Sequence, residues 1–456
     1  MNLFLPSEES ESSGFSNAFF NKAVHLLSEY IKIPTVNPPG NDRLGTRFLQ
    51  KVLDENGLET RIIETSPGRE ALISSLPGSD PELKPLVLAG HIDVAPAEED
   101  GWEIPPFSGL VKDGFIWGRG ALDMKSMGIM ELMAFLAVYH RQVPIKRGVT
   151  FLAIPDEENS GELGAKVIAE KHLAELDPAL IINEGGYGLR NMMFNGVVFP
   201  IVIAEKLSLK VKLTALGAPG HSNQPGKDSA ITRLVQGLAA VDKLKYPMEI
   251  HPIVKETLKR LAERKSFPES LLLKHPNNPL FRFLLNREFK KDSTLNAMIR
   301  NTICMTVLKA GEATNAIPDI AEAYLDLRLL PCTDFRDITR DIKKQVAPFT
   351  VSTEVINEPV PGEPTSFTSK AFSIIEEVLL EEVPDALVVP LLDIGGTDSK
   401  HFRPCGIPCY DIIPCIIDPE DLKRIHGINE RISINNLKFG IRVMYNLICQ
   451  LCNTDI

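Results

Sequence analysis

An α/β fold with a mostly parallel central sheet, interrupted by an inserted α+β domain, is what the hydrophobic pattern of this 456-residue chain predicts. Three observations carry that expectation. Apolar runs of strand length alternate with helical periodicities from about 20 to 205. Near 206 the runs change to alternating polar and apolar residues. After 366 the first pattern returns. A chain this long exceeds one ordinary core, so two domains are expected, at 1–205 with 358–456 and at 206–357.

The elements follow in order. FNKAVHLLSEYI (20–31) has helical spacing, and a second helix is expected over 44–55. PLVLAG (85–90), VTFLAI (149–154) and ALIINE (179–184) read as strands buried on both faces. Between the first two lies SMGIMELMAFLAVYH (126–140), apolar almost all round and so expected to be a buried helix. KLSLKVKLTAL (206–216) and AEAYLDLRLL (321–330) alternate as strands with one wet face, with a helix over 228–243 between them. Residues 245–300, broken at His251-Pro252, His275-Pro276 and Asn278-Pro279, read as an irregular helical insertion in the second domain. SKAFSIIEEVLL (369–380) then predicts a helix, and ALVVPLL and CYDIIP short strands.

Composition bounds the partners. A net charge of −11 argues against a nucleic-acid partner, and no run of eighteen apolar residues marks a membrane span, so neither partner is expected. The mixed stretch KETLKRLAERK (255–265) reads as a solvated helix face. The opening residues show neither a basic leader nor a signal-peptide core, and seven cysteines, an odd number, suit a reducing cytoplasm. Cys405, Cys409 and Cys415 match no standard metal spacing, and the CxxC at Cys449 and Cys452 lies at a chain end expected to fray.

In open α/β sheets, loops at the carboxyl ends of strands converge on one crevice. Those ends carry His91-Ile92-Asp93, then Asp156-Glu157-Glu158, then Glu184-Gly185-Gly186, and GRGALDMK (118–125) sets Asp123 just before a helix. Imidazole with carboxylates is the donor mixture of a catalytic zinc site. Asp93, two residues beyond His91, can reach back to the imidazole nitrogen that faces away from a metal. Competing motifs fail: Asp123 stands where a dinucleotide fingerprint needs its third glycine, GKDS (226–229) is no phosphate loop, and neither GxSxG nor HExxH occurs.

At these residues the chain resembles metallopeptidase family 20, which includes aminoacylase, carboxypeptidase S, acetylornithine deacetylase and succinyl-diaminopimelate desuccinylase. The resemblance runs from about 25 to 445 through GHIDVAP, WEIPPFSG, GRGALDMK, PDEENSGELGA, INEGG, GAPGHS, ATNAIP, DLRLLP, GGTDS and HGINE. WEIPPFSG, INEGG and NAMIRNTICMTVLKAGEATNAIPD resemble most the carboxypeptidase S and N-fatty-acyl-amino-acid hydrolase branch.

The resemblance implies a zinc-peptidase-like catalytic domain and a lid through which such proteins form homodimers. It implies two zinc ions, replaceable by cobalt or manganese, bridged by Asp123, with His91 and Glu184 on one and Glu158 and His426 on the other. Glu157 matches the general base, Asp93 the acid behind His91, and His221 the lid histidine that stabilises the oxyanion, in dimers from the partner. Asn315 and Arg328 match residues holding the substrate's carboxylate, beside a loop of Gly395, Gly396 and Thr397. Asn183 departs from the acid many relatives carry there, and the long 245–300 segment departs from the compact desuccinylases. The implied activity is hydrolysis of an N-acyl-amino acid or small peptide with a free carboxylate. A carboxypeptidase or dipeptidase would use the same site, and a silent metal-binding scaffold would retain the fold without turnover.

Overall fold

A computed structural model describes residues 14–456 apart from Pro225 and Lys227. The first thirteen residues, on which the absence of a leader was read, and part of GKDS lie outside the described residues.

Eight strands form the large sheet, in the order Arg61–Ser66, Arg69–Leu76, Val149–Ile154, Leu86–His91, Leu180–Arg190, Cys409–Ile417, Val197–Glu205, Leu387–Asp393. Leu86–His91 runs parallel to both its neighbours, as do Leu180–Arg190 with Cys409–Ile417 and Val197–Glu205 with Leu387–Asp393. The two strands at one edge are antiparallel. Why the interior strands read as unbroken apolar runs is clear from Leu86–His91. Leu86 and Leu88 enter the core on one face, while Val87 and Ala89 enter a second core on the other. Lys125–His140 has thirteen buried residues because it lies between the sheet and the C-terminal helix Ile434–Leu451. Gly440 permits that close crossing, since a Cβ there would overlap the Met130 sulfur.

A second, four-stranded antiparallel sheet has the order Thr302–Ala310, Ile320–Leu329, Leu207–Leu216, Val351–Asn357. Helices Ala230–Val241 and Phe335–Val346 cover one face, where Leu209, Val211, Leu213 and Leu325 are buried. Polar residues such as Lys212 and Glu322, an ion pair at 2.6 Å, take the other face. Residues 304–310 of the edge strand are exposed.

Three expectations change. The 245–300 segment is regular: Pro252–Ala262, Glu269–Lys274, Pro279–Phe289 and Ser293–Met298 are helices, and the asparagine of Asn278-Pro279 caps one of them. It also buries Ile253, Val254, Leu258 and Leu285 in the core of the large sheet. The charged stretch beginning at Lys255 is therefore solvated on one side only, and Arg260 pairs with Glu376 at 2.9 Å. The C-terminal turn is held rather than frayed, since Arg147 donates to the carbonyls of Leu451 and Thr454 and Cys452 is buried.

Candidate active site

The selected side chains meet at the carboxyl ends of the large sheet's strands. His91 closes Leu86–His91. Glu157 and Glu158 follow Val149–Ile154 through Asp156, whose φ of 80° turns the chain sharply into the short helix Glu157–Asn159. Glu184 lies within Leu180–Arg190, and Asp123 stands just before Lys125–His140. His426 comes from a distant loop and is itself held at φ 56°.

Asp123 sits between the two imidazoles. Its Oδ1 is 3.0 Å from His91 Nε2 and its Oδ2 3.0 Å from His426 Nε2. Glu184 Oε2 lies 3.2 Å from His91 Nε2, and Glu158 Oε2 3.3 Å from His426 Nε2. Two triads result, His91–Asp123–Glu184 and Asp123–Glu158–His426, each able to converge on one ion. Donors about 2.1 Å from a tetrahedral zinc are separated by roughly 3.4 Å, close to these spacings.

The electrostatics ask for cations. Burial pushes Glu184 up to about 7 against the lowering pull of His91, with smaller help from Asp123 and Glu158. Burial and Glu184 hold Glu157 well above the carboxylate range. Burial raises Asp123 too, but hydrogen bonds from His426 and His91 outweigh it and leave it well below. Bonds to Asp123 and Glu158 push His426 up to about 10. Glu157 and Glu184 thus keep protons, and Asp123 pairs with charged imidazoles, until a metal replaces that charge.

Asp93 acts differently from the sequence expectation. His91 Nδ1 lies 2.9 Å from the Asp93 backbone carbonyl and 3.7 Å from its carboxylate. The carboxylate instead accepts from the amides of Glu157 and Glu158, at 3.2 and 3.1 Å, and from Asn37 at 2.8 Å. Asp93 thus fixes both the imidazole and the turn that presents the two glutamates.

The cavity beside the triads, about 230 Å³, is lined by Asp123, Glu157, Glu184, His426, Gly396 and Thr397, with Tyr187, Val202, Leu391 and Ile413 forming an apolar wall. Asn183 hydrogen-bonds Ser399 at 3.1 Å, tying the strand of Glu184 to the loop of Thr397. Three expected residues lie elsewhere. His221 and Asn315 come together at a separate two-stranded sheet, where Gly220–His221 pairs with Ala316–Ile317, and both are exposed. Arg328 is paired with Asp326 at 2.9 Å and does not line the cavity. Of the remaining histidines, His140 lies 2.8 Å from Asn56 and His401 3.0 Å from the Ser160 carbonyl.

Two buried supports escaped sequence reasoning. Glu430, in the HGINE stretch, accepts from the amides of Leu122 and Asp123 and pairs with Arg119 at 2.6 Å, so it sets the Asp123 loop. Arg69 joins Asp42 at 2.6 Å, Asn37 at 2.9 Å and Asp156 at 3.2 Å, bracing the Glu157 turn from behind. Arg69→Met should cost about 3–5 kcal/mol in denaturant unfolding, because it leaves Asp42 and Asp156 buried without their cation.

The description "Peptidase family M20/M25/M40" matches residues 87–450. The chain belongs to this family. This family member is 33% identical over 388 residues to human "N-fatty-acyl-amino acid synthase/hydrolase PM20D1", covering 84% of this chain and 76% of that one. It is 33% identical over 388 residues to "Probable carboxypeptidase S-like 2" of Dictyostelium discoideum, covering 83% and 74%. Among solved structures, an M20 family metallo-carboxypeptidase, Sso-CP2, from Sulfolobus solfataricus shares the fold with a TM-score of 0.72 at 19% identity, covering 94% and 98%. As a family member the chain is a metal-dependent hydrolase.

Proposed function

We propose that this hydrolase cleaves the amide bond of an N-acyl-amino acid with a free carboxylate, and that its metals are two zinc ions. The observation that carries the reading is Asp123, whose two oxygens each face one imidazole at 3.0 Å. His91 and Glu184 would complete one zinc's protein ligands, and Glu158 and His426 the other's. Bound there, the pair supplies an acidified water and a polarised carbonyl.

The protein's own groups do the rest. Glu157 takes the water's proton as hydroxide adds to the carbonyl, and delivers it to the leaving nitrogen as the C–N bond breaks. Asp93 holds His91 and the Glu157 turn. Gly395, Gly396 and Thr397 form the loop beside the substrate, and Arg328 turns from Asp326 to hold the carboxylate through paired bonds. Arg328→Lys should raise KM about tenfold to a hundredfold with a smaller change in kcat, read from steady-state kinetics.

His221 and Asn315 are exposed and away from the cavity, while the edge strand Thr302–Ala310 offers open backbone groups. Both facts support a homodimer through the lid, in which the partner subunit's His221 would reach this cavity and hold the oxyanion, worth about 3 kcal/mol. Mixing His221→Ala with Glu157→Gln protein tests it. Mixed dimers carry one intact composite site, so activity should return from two inactive parents; no recovery despite subunit exchange would place His221 outside the chemistry. The seven cysteines, all free thiols, support a cytoplasmic setting. A panel of N-acyl-amino acids against dipeptides, supplied with zinc, separates the acylase from a carboxypeptidase or dipeptidase. Preference for dipeptides would overturn the acylase reading and leave the hydrolytic site standing.

A further inference from the structure

The helical segment 245–300 shows solvent several large apolar side chains. Phe267 is 80% exposed, Phe283 65% and Leu280 62%. On Pro279–Phe289, Leu280, Phe283, Leu284 and Arg287 recur at the i, i+3, i+4, i+7 spacing that shares one helical face, and all four are exposed. Leu285 is buried on the opposite side, in the core of the large sheet. One face of this short helix therefore anchors it, and a second apolar stripe points away. Exposed apolar residues clustered in this way mark interaction surfaces.

Charge selects the occupant. Residues 264–291 hold seven Lys or Arg against two Glu, a net +5 within a chain of net −11. Leu and Phe side chains among lysines and arginines are the composition of an element lying at the boundary between headgroups and acyl chains of an anionic bilayer. Two copies meeting through the same face would set two such basic surfaces against each other, which disfavours a symmetric protein contact.

We propose that this face docks the protein on an anionic lipid surface, with Leu280, Phe283 and Leu284 entering the bilayer boundary while Arg287, Lys290 and Lys291 meet the headgroups. No long apolar run is needed for such peripheral contact, so the lack of a membrane-crossing helix among the described residues does not decide against it. The segment also backs onto the cavity. Helix Pro252–Ala262 packs against Leu387–Asp393, whose Leu391 lines the apolar wall. Docking would then bring the cavity to a surface where amphiphilic amides partition, a consequence that rests on the acylase reading, whereas docking itself does not.

The test is co-sedimentation of the full-length, zinc-loaded protein with vesicles of phosphatidylcholine, alone or mixed with phosphatidylserine. Binding is expected to the anionic vesicles only, and to weaken as salt rises. The double variant Leu280→Ser/Phe283→Ser should lower partitioning about tenfold or more, and Lys290→Glu/Lys291→Glu about tenfold. Turnover of a water-soluble substrate should stay at the wild-type level in both, which shows them folded and separates this outcome from any failure of the proposed chemistry. Absence of vesicle binding, equal binding to neutral vesicles, or undiminished binding by the Leu280/Phe283 variant would each overturn the proposal. So would a fall in molecular mass by light scattering on that substitution, since a second copy would then occupy the face.

Discussion

Glu157→Gln is expected to bind metal as the wild type does and to lose about a thousandfold or more in kcat. General-base catalysis contributes about 10²–10⁴, and here one carboxylate both takes and returns the proton. Glutamine keeps the volume and the backbone turn, which Asp93 fixes through the amides of 157 and 158. Neither triad that could hold a metal includes Glu157, so metal content should not change. Metal analysis beside turnover reads the two effects separately. Normal metal with substantial remaining turnover would remove Glu157 from the role of base.

Asp123→Asn should be more severe, because one change weakens both triads. The amide presents one neutral oxygen where the carboxylate offers two, one toward each imidazole. Loss of metal from both positions, a fall in kcat of more than about a thousandfold, and a thermal midpoint no longer raised by added zinc are the expected results. If one ion remained at full occupancy, Asp123 would not be shared. The pH dependence of loading follows from the same groups. His426 keeps its proton up to about 10 when bonded to Asp123 and Glu158, and Glu184 keeps one up to about 7. Metal must displace those protons, so apparent affinity should rise through the Glu184 range near pH 7 and keep rising toward about pH 10, where His426 loses its proton, and calorimetry in buffers of different ionisation enthalpy should register proton release.

How much of this was legible in sequence depends on the kind of signal each residue leaves. His91 ends a buried strand, Glu158 follows one, Glu184 sits in one, and Asp123 stands just before a buried helix, so hydrophobic pattern and the convergence of strand ends select them without further knowledge. His426 leaves no such mark: it lies in a loop on a strained backbone, 303 residues beyond Asp123, and only the resemblance of HGINE placed it. Arg69 and Asp42 were invisible, as was the brace they give Asp156, because a charge is buried only by virtue of its partners, and these come from separate elements. The same holds for Arg403, which pairs with Glu205 at 2.6 Å and Asp411 at 2.9 Å beneath the Thr397 loop. Strand Val197–Glu205 contains Pro200, which reads against an interior strand, yet it pairs on both sides. Helix Pro252–Ala262 shows how a charged, amphipathic stretch reads alike whether its apolar side faces a neighbour or is merely narrow; here Val254 and Leu258 are buried.

The most direct test of the two-metal centre is a crystal of zinc-loaded protein measured at the zinc absorption edge. Two anomalous peaks are predicted, one against His91 and Glu184 and the other against Glu158 and His426, each also touching one oxygen of Asp123. A single peak, or two peaks of which one lies away from Asp123, would contradict the shared carboxylate on which the chemistry is built.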